Sequence, residues 1–142
     1  MPYSPEIISD GIQIQHITEK VIKACMTVHS ILGNGFQEVI YQRALAIECE
    51  LIDLPFAREF SMQIFYKERH IGERRVDFLV KEKISVELKA VSKLENVHSV
   101  QAMNYLEAYN LEVGMLINFG ANSLEFKRLY NKKFKEGLVR GK

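Results

Sequence analysis

Cysteine is scarce in this sequence: Cys25 and Cys49 are the only two among 142 residues, far apart and in no CxxC or Cys/His spacing. That argues against a zinc cluster or a disulfide framework and leaves buried, reduced thiols without a chemical role as the expectation. No apolar run reaches the length of a membrane span, so a membrane partner is not expected. The opening residues, MPYSPEIISDG, lack the basic region and apolar stretch of a secretory signal, so a cytoplasmic location is expected. Repeats and low-complexity linkers are missing, and the three prolines (Pro2, Pro5, Pro55) sit where elements would begin or end. One domain over 1–142 is therefore expected, with a core at about 13–130 and a basic tail at 131–142. Excess charge of one sign is also missing: the net charge of +1 excludes the strongly basic balance that announces a nucleic-acid binder by itself.

What is present is an ordinary globular composition, 47% hydrophobic and 26% charged. The charge is unevenly placed. Lys127, Arg128, Lys132, Lys133, Lys135, Arg140 and Lys142 face only Glu136 near the end of the chain, and a second basic cluster is KERHIGERR at 67–75. Such clusters are usually solvated surface, with phosphate contact the rarer use.

Periodicity sets the elements. Ile17, Val21, Cys25, Val28 and Leu32 recur at helical spacing from about 13 to 32, and Gly33 with Gly35 supplies the stop. A second helix is expected over about 37–51 with Ile40, Ala44, Ile47 and Leu51 as its core stripe. Period two then takes over in EFSMQIFY, KERHIG reads as a turn, and the strands RRVDFLV and ISVELKAV follow, separated by KEK. A third helix over about 96–110 precedes two strands, EVGMLINF and SLEFKRLY. The order points to an α/β or α+β domain on a mixed sheet.

With KEK as a three-residue loop joining Val80 to Ile84, partners on the two strands sum to 164. Val76 then faces Leu88, Phe78 faces Val86, and this face is wholly apolar. The opposite face places Asp77 against Glu87, with β-carbons about 4.5–5.5 Å apart and Lys89 roughly 7 Å away. Two like charges so placed repel by roughly 1–3 kcal/mol. A divalent cation reverses the sign, because two carboxylates and a backbone carbonyl are hard oxygen ligands for Mg²⁺. The ion activates a water, and a lysine beside it orients that water or stabilises a pentavalent oxyanion. An exposed charge network with Arg75 is the plainer alternative, contributing a fraction of a kcal/mol.

Two helical segments add to this. Glu38 and Tyr41 lie one turn apart in GNGFQEVIY, on a face different from the expected core stripe, and His98, Gln101 and Tyr105 share a face in VHSVQAMNY. Each has an ordinary explanation: a first-turn acid for Glu38, a surface amide for Gln101, a helix-start residue for His98, packing for the tyrosines.

Taken together, GNGFQEVIYQRAL resembles the signature of the GxxExxY proteins, and RRVDFLV, ISVELKAV, QAMNYLEAY and VGMLINFG follow in that family's order over roughly 16–130. That family is placed in the PD-(D/E)XK nuclease superfamily. The resemblance implies a restriction-endonuclease-like core, a central mixed sheet flanked by helices. It also implies that Asp77 is the superfamily aspartate, that Glu87 and Lys89 form its E-x-K, that Glu38 is the helical glutamate of RecB-like members, and that Gln101 and Tyr105 match their QxxxY element. Val76 stands where the name-giving proline would be. The implied function is Mg²⁺-dependent hydrolysis of nucleic acid, DNA in the first instance, with Mn²⁺ as a substitute ion. Asp77, Glu87 and Glu38 would hold the metal, Lys89 and Gln101 would serve the reaction, and Tyr41 and Tyr105 would line the site. A noncatalytic nucleic-acid-binding or partner-binding module on the same scaffold is the rival. Many enzymes of this fold act as dimers or within larger complexes, so a homodimer is a further expectation.

Overall fold

A computed structural model describes residues 10–137. Helices α1 (Asp10–Leu32) and α2 (Glu38–Leu51) come first, then strands β1 (Phe56–Tyr66), β2 (Arg69–Val80) and β3 (Ile84–Lys89). Helix α3 (Asn96–Tyr109) leads into β4 (Val113–Asn118) and β5 (Glu125–Tyr130). The strands form one sheet in the order β1-β2-β3-β4-β5. Every neighbouring pair is antiparallel except β3 and β4, which run parallel because α3 carries the chain back across the sheet. This is the mixed sheet flanked by helices that the sequence implies. Among the described residues no helix is long and apolar enough to cross a membrane.

The apolar residues divide into two clusters, one on each face of the sheet. Ile17, Val21, Cys25 and Val28 of α1 and Tyr41, Leu45 and Cys49 of α2 pack against Phe78, Val86, Leu88, Met115 and Ile117. On the other face, Leu106 of α3 and Leu111 pack against Met62, Val76 and Leu79. Close approach of α3 depends on Gly114, where a β-carbon would come within 2.7 Å of Ser85 Oγ and 2.8 Å of Leu106 Cδ2. Both cysteines are buried and unpaired, and burial pushes the Cys49 thiol up to about 11 and the Cys25 thiol higher still, so neither ionises near neutrality.

Three expectations need correction. In α2 the buried stripe is Tyr41, Leu45 and Cys49, while Ile47 and Leu51 are 57% and 71% exposed. Hydropathy alone favours the isoleucine stripe, but the hydroxyl of Tyr41 finds backbone partners at Gly33 and Phe36 and its ring stacks on Phe119, so the helix rolls the tyrosine inward. The turn expected over KERHIG is only Lys67 and Glu68, both with positive φ (47° and 67°). This is a two-residue reversal of the kind that suits the strand twist, carried by residues without the usual Asn-Gly signature.

The third correction concerns the hairpin. Phe78 pairs with Val86 and Val80 with Ile84, as the KEK register predicts, but the β2–β3 ladder ends there, and Asp77 and Glu87 are not cross-strand partners. Alternation in β2 also breaks at Asp77: Phe78 packs on the α1/α2 side, whereas Val76 packs with Leu79 and Leu106 on the α3 side. The residue opposite on β1, Glu59, has a φ of 48°, and the Glu59–Asp77 position is missing from a register that is otherwise continuous from Phe56 to Ile64. Both strands of the β1–β2 ribbon therefore reverse the facing of their side chains at this level.

Candidate active site

The end of the β2–β3 ladder makes room for a side chain between the strands, and Asp77 occupies it. Its Oδ2 accepts a hydrogen bond from the Leu88 amide at 2.7 Å, replacing the strand acceptor that the ladder no longer provides. Its Oδ1 accepts from Gln42 Nε2 at 3.1 Å, and Gln42 Oε1 in turn accepts from Arg58 at 2.7 Å. Gln42 is buried on α2, so this chain of bonds ties the helix to the two strands that carry the acids. Sequence reasoning passed over Gln42 and Arg58. The Glu38-to-Gln42 spacing of one helical turn was the available signal.

Glu87 projects from β3 toward α3 and is 6% exposed. Its Oε2 accepts from Arg74 Nη2 at 2.8 Å, and the Arg74 guanidinium sits over the ring of Tyr105, 4.5 Å from its centroid. Burial raises the Glu87 carboxyl to about 7. Arg74 opposes that rise, Asp77 adds to it, Lys89 opposes it and Glu38 adds to it.

Glu38 opens α2, where the helix dipole favours a negative charge. Its carboxyl is raised by desolvation first; Lys89 pulls it down, Asp77 pushes it up, and Arg74 and His98 pull it down. Asp77, Lys89 and Arg74 thus act from β2 and β3 on the charge of both Glu38 and Glu87. Lys89 is half-buried at the end of β3, and its side chain makes no hydrogen bond to a described residue.

The other candidate residues divide. Tyr105 is at the site through Arg74. Gln101 is exposed, one turn from Tyr105 on α3, with no hydrogen bond to a described residue. Tyr41 does not line the site: it is fully buried, with its hydroxyl donating to Gly33 O at 2.6 Å and accepting from Phe36 N at 3.1 Å. Its effect on Glu38 is indirect, because those bonds fix the loop from which α2 starts, and Gly33 ends α1 with a φ of 75°. His98 closes a capping box with Glu95 at the start of α3. Arg75, the expected partner in a plain charge network, lies 3.9 Å from Glu59 instead.

Arg74 is the neighbour of Glu87 that sequence reasoning missed, since it reads as one member of a surface basic cluster. Regular alternation puts it on the face of Phe78, away from Glu87. The break at Asp77 puts Arg74 and Val76 on the α3 face.

Asn118, also missed, anchors the far side. Its Oδ1 accepts from the amides of Val91 and Gly120, and its Nδ2 donates to Val91 O and Glu125 Oε1, all within 3.0 Å. It pairs in register with Lys89, so the clasp holds the strand end that carries the lysine. Of the basic tail, Lys132, Lys133 and Lys135 are exposed, with Lys133 3.5 Å from Glu107; Arg140 and Lys142 lie outside the described residues.

Among the described residues no three His, Cys, Asp or Glu side chains are grouped closely enough to hold a metal ion as they stand. The arrangement can present carboxylate oxygens to a hard cation, since Glu87 Oε1 is buried without a partner among the described residues. It sets an amine beside them.

A family model described as the PD-(D/E)XK nuclease superfamily matches residues 15–129. No curated protein matches the chain. The crystal structure of SSO0001 is similar at a TM-score of 0.48 and 13% identity, over 81% of this chain; the chain spans 65% of that protein.

Proposed function

This chain belongs to the PD-(D/E)XK nuclease superfamily, and from that premise we propose that it hydrolyses phosphodiester bonds in nucleic acid, DNA in the first instance, with a divalent metal ion. The observation that carries the reading is the convergence of Asp77 and Lys89 on both Glu38 and Glu87, close enough to act on the charge of each. Asp77, Glu87 and Glu38 would hold Mg²⁺ or Mn²⁺, and the unpartnered Oε1 of Glu87 fits that role, as hard carboxylate oxygens suit a hard ion. When bound, the ion supplies Lewis acidity to the attacking water and the phosphate.

Lys89 orients the water and neutralises charge developing on the phosphate oxygens. Gln101, exposed on the α3 face that also carries Tyr105, is a hydrogen-bond partner for the water or the substrate. Before the ion binds, Arg74, resting on Tyr105, keeps Glu87 aimed. The exposed lysines after β5 and the basic residues of the β1–β2 ribbon contribute phosphate contacts that bind without reading bases.

A noncatalytic binding module is the second reading. It is favoured by one observation: both oxygens of Asp77 already have protein partners. Lys89→Ala separates the two. Under the nuclease reading, metal-dependent cleavage of a labelled DNA duplex falls about 10²–10⁴-fold, while the circular dichroism spectrum and nucleic-acid affinity stay near wild type. Full metal-dependent cleavage by that variant would remove the assignment, and a wild-type protein that binds the duplex but never cuts it with Mg²⁺ or Mn²⁺ supports the binding module.

A further inference from the structure

The ion pair between Arg74 and Glu87 is only half made. Arg74 Nη2 meets Glu87 Oε2 at 2.8 Å, yet Arg74 Nε and Glu87 Oε1 are both buried with no partner among the described residues. An arginine and a carboxylate serving only to neutralise each other gain most by closing two parallel N–H···O bonds, because the guanidinium fork matches the carboxylate. Leaving a buried donor and a buried acceptor unpaired is costly. One oxygen and one N–H are left over. The oxygen suits a cation and the N–H suits an anion.

The two partners also differ in freedom. The Glu87 side chain is 8% exposed and that of Arg74 32%, so the arginine is the one with room to turn. Its guanidinium is supported independently by the Tyr105 ring, 4.5 Å below. A divalent ion at Glu87 would repel the guanidinium and compete for the same carboxylate. The anion then able to satisfy Arg74 is a phosphate.

We propose that Arg74 is a substrate-phosphate ligand held in reserve: it pairs with Glu87 in the metal-free protein, and it turns on Tyr105 toward a non-bridging phosphate oxygen when the ion takes Glu87. This rests on the nuclease reading and deepens it. Metal and nucleic acid then bind cooperatively, and the coupling is reciprocal.

The test measures anisotropy of a labelled short DNA duplex, with Ca²⁺ as a hard divalent probe and with chelator, for wild type, Arg74→Met, Glu87→Gln and the double variant. Methionine keeps an unbranched stem over Tyr105 without the charge. With Ca²⁺, Arg74→Met weakens binding about tenfold or more, and the slope of log affinity against log salt becomes shallower by about 1. With chelator, it matches wild type. Glu87→Gln frees the arginine without metal, so it binds the duplex more tightly than wild type in chelator, and the gain disappears in the double variant.

An equal loss for Arg74→Met in both conditions, or none, overturns the proposal in favour of a plain electrostatic or structural role. Should Arg74→Met fail to fold, Glu87→Gln decides alone: no gain in chelator overturns it. Wild type that cleaves with Mn²⁺ while Arg74→Met binds normally sinks only this inference. Wild type that neither cleaves nor changes its duplex affinity with metal sinks the nuclease reading as well.

Discussion

Glu87 is a buried acid whose charge is costly, and that cost has a pH signature. Its carboxyl titrates near 7 in the folded protein against about 4.5 in the unfolded chain. The folded state therefore binds more protons between those values, and stability falls as pH rises through that window. The contribution is fully present below about pH 4.5 and lost above about pH 7; its size is about 3 kcal/mol in the metal-free protein. Urea titrations of wild type and Glu87→Gln at pH 5 and pH 8 check this: the difference between them should shift with pH in that direction, and a constant difference counts against it. Metal loading reverses the preference, since a carboxylate ligand must be ionised. Mn²⁺ affinity in the absence of nucleic acid should rise as pH increases toward 7 and level off beyond it, as isothermal titration calorimetry would show.

At the scale of elements, strand and helix order were legible because α1 keeps helical periodicity and β3 and β4 keep runs of Val, Ile and Leu. The KEK loop fixed the register as far as Phe78 and Val86 for the same reason. What escaped was decided by contacts between distant segments. The roll of α2 depends on Tyr41 meeting Phe119, and the break in β2 depends on Glu59 opposite Asp77, neither of which a local window contains. Asp77, Glu87, Lys89 and Glu38 could be named from their spacing, whereas Arg74 could not, because its facing is set by that break. Asn118→Ala tests the element that follows β3. It removes four hydrogen bonds around residues 91–125 and should cost about 3 kcal/mol in urea denaturation. Tyr41→Phe, which leaves Gly33 O and Phe36 N without their partner, should cost about 1–2 kcal/mol and weaken Mn²⁺ binding by loosening the start of α2.

For the whole molecule, the sheet places its acids where α2, β2 and β3 converge, so under the proposed nuclease reading a bound ion would join a helix to two strands. A ligand that binds only the folded state raises apparent stability by mass action, by about 2.7 kcal/mol at a hundredfold excess over its Kd. The melting temperature should therefore rise with millimolar Mn²⁺ in wild type and stay unchanged in Glu87→Ala; no rise in wild type favours the binding module.

Asp77 carries a further consequence. Under the proposed nuclease reading, a descendant of this chain that had abandoned hydrolysis would still need an acceptor there to close the strand edge, because the carboxylate is spliced into the join between β2 and β3. The aspartate would outlive the activity. Lys89, whose amine has no such architectural duty, would be free to drift, so in comparing relatives of this protein the lysine is the sounder marker of a working enzyme.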